Sequence, residues 1–189
     1  MKIVLILFLL TITVSCSTLQ QSKEDIDLNY IDYKNNSDHN KIKSFTLSGK
    51  ISLFLKEKGF SGRIKWSSEN GYDVIEIYNP FNSIISKISL NESLGEITFD
   101  PASENKSKDT ELAIRQIFGD TANIFVLKNF LLHPPNQLTE NETVSVVFQG
   151  WTIKYSGYQD AGHITTKTVE YTKGNNSLKI FINDLNYEN

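Results

Sequence analysis

The chain of 189 residues has one cysteine, Cys16, so no disulfide can form within it. Its three histidines, His39, His133 and His163, are far apart in sequence, and a zinc site of cysteines and histidines has too few ligands to draw on. Charge of one sign is also missing. The 19 Lys and Arg stand against 22 Asp and Glu, a net charge of −3, without the basic surplus of a dedicated nucleic-acid binder. Proline is scarce, at 4, while aromatics reach 11%, which suits a sheet-rich core better than a linker-rich assembly. The 39% of hydrophobic residues suffices for the core of one domain.

Catalytic signatures are absent too. There is no Gly-rich phosphate loop, no metalloprotease helix motif and no Gly-x-Ser-x-Gly elbow. Gly59-Phe60-Ser61-Gly62 sets a serine between glycines, but at the wrong spacing and in a strand-turn setting. His133 precedes two prolines, His163 lies in a polar loop, and Asp100, Glu104 and Asp109 are scattered among loops. No general acid, base and nucleophile come together. The expectation is a binding protein rather than an enzyme, with no metal and no cofactor.

What is present begins with an address. Lys2 is followed by an apolar run from Ile3 to Ser15, short of the roughly 20 residues that span a bilayer. A positive start, a short apolar run and small residues before a break read as a signal peptide over residues 1–15. Thr13-Val14-Ser15-Cys16 resembles the bacterial lipobox, with Thr13 where Leu is usual. That resemblance implies acylation of Cys16, and Ser17 after it, rather than Asp, implies lipid anchoring in the outer membrane at its periplasmic face. Each buried acyl methylene contributes about 0.8 kcal/mol, so several chains anchor firmly. Residues 16–43 are then a lipidated N-terminus and polar tether. Within it Ile26, Leu28, Tyr30 and Ile31 suit either a short docking helix or a solvated linker.

Residues 44–189 form the folded domain. From Phe45 the side chains alternate, with Phe45, Leu47, Gly49, Ile51, Leu53 and Leu55 on one face and polar residues on the other, which predicts a half-buried strand. Phe60 to Ser67, Tyr72 to Tyr78, Ile84 to Leu90 and Leu94 to Phe99 continue an antiparallel meander, with Asn70-Gly71 as a hairpin turn. A helix ending at Phe118 and a second, apolar one over Asn123–Leu132 interrupt it. Strands then resume over Val144–Phe148, Trp151–Tyr155, Thr165–Tyr171 and Ser177–Ile182. The pattern predicts the α+β class, a curved antiparallel sheet with helices inserted midway. In the loop Asn79-Pro80-Phe81-Asn82-Ser83, Pro80 fixes a turn and Phe81 sits at its tip. Sequence alone leaves open whether Phe81 folds onto the core or points outward as a wedge.

Several of these runs together resemble the LolB family of outer-membrane lipoprotein receptors. They are Phe45-Thr46-Leu47-Ser48-Gly49-Lys50-Ile51, Gly59 to Trp66, Asn79-Pro80-Phe81, Leu127 to Pro135, Trp151 to Tyr158 and Leu178 to Ile182. Their order, together with the lipobox, is more specific than any one of them. Lys128 stands where an Arg is common in the family, Phe130 where a Trp is, and His133 where a Gly is. The resemblance implies an unclosed antiparallel β-barrel, a half-barrel, with a helical lid over an apolar cavity for acyl chains. Such a protein takes acylated lipoproteins from a LolA-like periplasmic carrier and inserts them into outer-membrane lipid. It would act as a monomer. Pro80 and Phe81 would form the membrane-insertion loop. Strand parity offers Leu47, Ile51, Ile64, Trp66, Ile75, Ile77, Ile88, Ile97, Phe99, Trp151, Ile153 and Tyr155 as the cavity lining, with Leu127, Phe130 and Leu131 facing it from the lid. The alternative is a structural or assembly lipoprotein of similar fold whose interior is filled and which binds a protein partner.

Overall fold

The structure, a computed structural model, describes residues 25–27, 42–55, 58–101, 108–134, 143–160 and 164–188. Residues 1–24, which include Cys16 and the expected signal peptide, most of the expected tether, His39, Glu104 and His163 lie outside these. In chain order the elements are β1 (Asp25–Asp27), β2 (Ser44–Leu55), β3 (Lys58–Glu69), β4 (Tyr72–Tyr78), β5 (Ile84–Asn91), β6 (Glu96–Pro101), α1 (Lys108–Phe118), α2 (Thr121–Leu132), β7 (Thr143–Phe148), β8 (Trp151–Asp160), β9 (Ile164–Lys173) and β10 (Asn176–Glu188).

All ten strands join one sheet in the order β1-β7-β8-β9-β10-β2-β3-β4-β5-β6. Only β1 and β7 run parallel; every other neighbouring pair is antiparallel. The end strands β1 and β6 do not pair with each other, so the sheet is unclosed. Alternation accounts for each strand: along β2 the buried residues are Phe45, Leu47, Gly49, Ile51, Leu53 and Leu55. Asn70 and Gly71 both hold positive φ, at 50° and 79°, as a tight hairpin turn between right-twisted strands requires.

At two inward glycines the neighbouring backbone comes too close for a side chain. A Cβ on Gly49 would lie 2.2 Å from the Phe181 carbonyl oxygen, and one on Gly62 would lie 2.1 Å from that of Tyr78. Only a residue without a side chain allows the neighbouring backbone so close. β10 also carries a bulge between Ile182 and Asp184, opposite Gly49 and Ser48.

Both helices cover the inward face. α1 turns Ile114, Ile117 and Phe118 inward and packs against α2, β2 and β5. α2 opens on Asp120, whose carboxylate accepts from the Ala122 N–H at 2.9 Å, and closes on His133, whose N–H donates to the Asn129 carbonyl. Apolar on nearly every side, it buries Ile124, Val126, Leu127, Phe130 and Leu131. The sheet and both helices share one hydrophobic core.

Three expectations need correcting. Asp100 and Asp109 lie in β6 and α1 rather than in loops, because strand pairing and the helix extend over them. Ile26 belongs to a strand rather than a docking helix: Asp25–Asp27 pairs with Ser145–Val147, where backbone hydrogen bonding to the sheet outcompetes a helical turn. Leu28, Tyr30 and Ile31 lie outside the described residues. Leu94 is a turn residue, and the strand expected to start there begins at Glu96, after Gly95 at φ 66°.

Candidate functional site

The side chains proposed for a cavity converge. Leu47, Ile51, Ile64, Trp66, Ile75, Ile77, Ile88, Trp151, Ile153 and Tyr155 are each at most 4% exposed and share the core with Leu127, Phe130 and Leu131 of α2. Ile97 and Phe99 pack against its border, partly buried, and the Arg115 guanidinium lies 4.5 Å from the Phe99 ring centroid. Strand period places the sheet residues on the inner face, and the two-turn stripe of α2 faces them across it. In this arrangement the helix sits down on the sheet.

Three sets of polar contacts fix α2 in place. The Tyr155 hydroxyl donates to the Phe130 carbonyl and the Tyr171 hydroxyl to the Leu127 carbonyl, each at 2.8 Å. Phe130 lies in the last turn of α2, where carbonyls have no partner within the helix, so Tyr155 satisfies a group that would otherwise be buried unpaired. On the other flank the Lys128 ammonium donates to Ser68 Oγ at 2.9 Å and to Asp73 Oδ2 at 3.1 Å, and also to Glu92. Asp73 is fully buried and accepts a further bond from Trp66 Nε1 at 2.9 Å. Burying a carboxylate is tolerable when its lone pairs are taken up in this way. One helix is thus held to β8 and β9 by phenols and to β3 and β4 by an ammonium.

The second feature is the loop between β4 and β5. Asn79 Oδ1 accepts from the backbone N–H groups of Phe81 and Ser83 at 2.9 and 3.0 Å, while the Asn79 N–H donates to the Ser83 carbonyl and the Asn82 N–H to the Asn79 carbonyl. Asn82 adopts φ 68° and its side-chain oxygen accepts from the Arg63 guanidinium. Tied down by its own asparagine, the loop presents Phe81 with 90% of its surface exposed. The question left open by the sequence is answered: Phe81 points away from the core. Pro80 and Ile84 flank it, both exposed. At the loop's foot the Tyr78 hydroxyl donates to Glu76 at 2.7 Å. That bond, with burial and the Glu76 charge, raises the phenol's pKa above its ordinary 10.0, against a smaller opposite pull from Arg63.

Sequence reasoning missed the network around Asp73. Two signals pointed to it: a carboxylate on the inward parity of β4, and a single lysine in an otherwise apolar helix. Tyr171 was missed for a simpler reason, since its strand was noted only as a strand. Among the described residues no group of three or more His, Cys, Asp and Glu is placed to hold a metal ion, and no helix is long and apolar enough to cross a membrane.

Comparison with known proteins adds a family. Residues 43–184 match the family described as "Outer membrane lipoprotein LolB". The chain is 23% identical over 146 residues to the Outer-membrane lipoprotein LolB of Azoarcus sp. (strain BH72), covering 73% of this chain and 76% of that protein. It is 20% identical over 150 residues to the Outer-membrane lipoprotein LolB of Nitrosomonas europaea, covering 73% and 70%.

Proposed function

Because the chain belongs to the LolB family, we propose that it receives acylated lipoproteins from a LolA-like carrier beneath α2 and passes them to the outer membrane. Membership makes it an outer-membrane lipoprotein of the lipoprotein localisation pathway. The finer reading rests above all on Phe81, a large aromatic that a rigid loop holds almost wholly in solvent. Of the exposed large hydrophobic side chains among the described residues it is the most exposed, and an aromatic ring suits the interfacial layer of a bilayer.

The proposed step is a physical transfer. An acyl chain in water costs about 0.8 kcal/mol per methylene, so a receptor must offer it an apolar surface of comparable quality. The inner sheet face and α2 are that surface once the helix lifts. Lifting breaks the Tyr155, Tyr171 and Lys128 contacts, and the entering chain replaces the apolar packing that α2 gives up. Phe81 enters the membrane and brings the opening to the lipid, which then takes the chain as the final sink. No bond is made or broken.

The test is transfer itself. A fluorescently acylated lipoprotein on its carrier is mixed with the Cys16→Ala chain, and label is followed onto this protein and then into liposomes. Movement of label supports the reading; retention on a carrier that is active with another acceptor removes it. The burial of the cavity side chains under α2 favours a second reading, a filled scaffold that binds a protein partner. Failure to take up a fluorescent fatty acid would select it.

A further inference from the structure

The outer face of the sheet carries an unusual row beside the Phe81 loop. Register places Phe181 of β10 opposite Lys50 of β2, Lys50 opposite Arg63 of β3, and Arg63 opposite Tyr78 of β4. Two cations therefore face each other directly across neighbouring strands, an arrangement that destabilises a sheet. Among the described residues neither Lys50 nor Arg63 has a carboxylate partner, in a chain whose net charge is negative. The nearby acids are engaged elsewhere: Glu76 accepts from the Tyr78 hydroxyl, and Glu170 lies 3.9 Å from Lys179. Aromatic rings bound the row. Arg63 and Lys65 lie 6.0 and 5.6 Å from the Tyr78 ring centroid, and Lys179 lies 5.2 Å from that of Phe181, itself 40% exposed. The far end of the sheet is more acidic, with Glu69, Asp184 and Glu188 exposed beside Lys43.

We propose that the row Phe181–Lys50–Arg63–Tyr78 is a docking surface for the phosphate groups of anionic phospholipids, which sets the angle at which Phe81 meets the bilayer. The occupant follows from continuity: Arg63 hydrogen-bonds Asn82 within the Phe81 loop, so whatever receives Phe81 also meets the row. Cations supply attraction to the headgroups and the rings suit the interfacial layer, while the acidic far end is repelled. The choice of a membrane as occupant and the direction of approach rest on Phe81 being the membrane wedge; the affinity of the paired cations for phosphate does not.

The full chain with Cys16→Ala is titrated with vesicles of phosphatidylcholine alone and of phosphatidylcholine mixed with phosphatidylglycerol. The quantity read is the ratio of the two affinities, in which the leader common to every variant cancels. Lys50→Gln should lower that ratio about fivefold at low salt, with a similar loss for Arg63→Gln and none for Lys43→Gln at the far end. High salt should erase the difference. Thermal unfolding checks that each variant is folded. An unchanged ratio for folded Lys50→Gln overturns the proposal, as does a ratio unchanged while transfer from the carrier slows, which would assign the row to an acidic protein. Phe81→Ser should weaken binding to both vesicle types. If it alters neither while Lys50→Gln keeps its effect, the wedge reading falls and the phosphate row stands.

Discussion

Asp73 lies near the start of β4 and Phe81 in the loop beyond its other end, with about 17 Å of strand between Asp73 and Tyr78, and the two answer to opposite demands. Asp73 is buried and binds Trp66 and Lys128, so Asp73→Ala would leave the Lys128 ammonium with only Ser68 and Glu92 and a buried indole N–H unpaired. A loss of about 1–3 kcal/mol in urea unfolding is expected. Asp73→Leu combined with Lys128→Met should recover most of it, because the pair is then removed together. Phe81 has nothing to lose by comparison. Phe81→Glu should leave unfolding within about 0.5 kcal/mol of the parent, since the side chain touches solvent, and should still accept cargo but fail to deliver it into liposomes. Unchanged delivery would remove the wedge. Neither role was fully legible in the sequence. Parity put Asp73 on the inner face, but its partner lies 55 residues away on a helix, and no local pattern links the two. For Phe81 the turn chemistry was plain, while the direction of the ring depends on how Asn79 ties the loop.

Among the elements, α2 has the unusual position of a helix apolar all round yet held by polar contacts on both flanks. Tyr171→Phe deletes one donor to its Leu127 carbonyl at an expected cost of about 1 kcal/mol. The more telling readout is hydrogen exchange: α2 amides should exchange faster while those of β2 and β3 stay as protected as before. Uniform loss of protection would mean that the helix does not open separately from the sheet. Strands and helices were largely legible, because periods of two and of about 3.6 survive in Phe45–Leu55 and in Ala113–Phe118. The exceptions have physical causes. β1 has three residues, too few to show any period. β10 runs on to Glu188 past its bulge, which shifts the alternation by one so that Leu185 and Tyr187 face the core between exposed Asp184, Asn186 and Glu188. Pairing with β2 holds that stretch in the sheet, and only the partner strand reveals it.

At the scale of the whole molecule, acyl chains on Cys16 would supply the durable part of membrane attachment and Phe81 a weaker, reversible contact. A chain that starts at Ser17, without leader or acylated cysteine, should therefore leave the membrane fraction with its unfolding midpoint unchanged; a lowered midpoint would show that the anchor segment supports the fold. The family and the α+β class were legible from ordered motifs and alternation, but the strand order was not, since it depends on pairings between the two ends of the chain. β10 lies between β9 and β2, so the first long strand of the body and its last are neighbours at the middle of the sheet. One arm, β2 to β6, is complete before the helices are made; the other, β7 to β9, comes after them. The seam that joins the arms needs residues 176–188. Residues 176–188 must therefore be present before the sheet can exist as one piece, and a chain without them is left with two flaps and no spine.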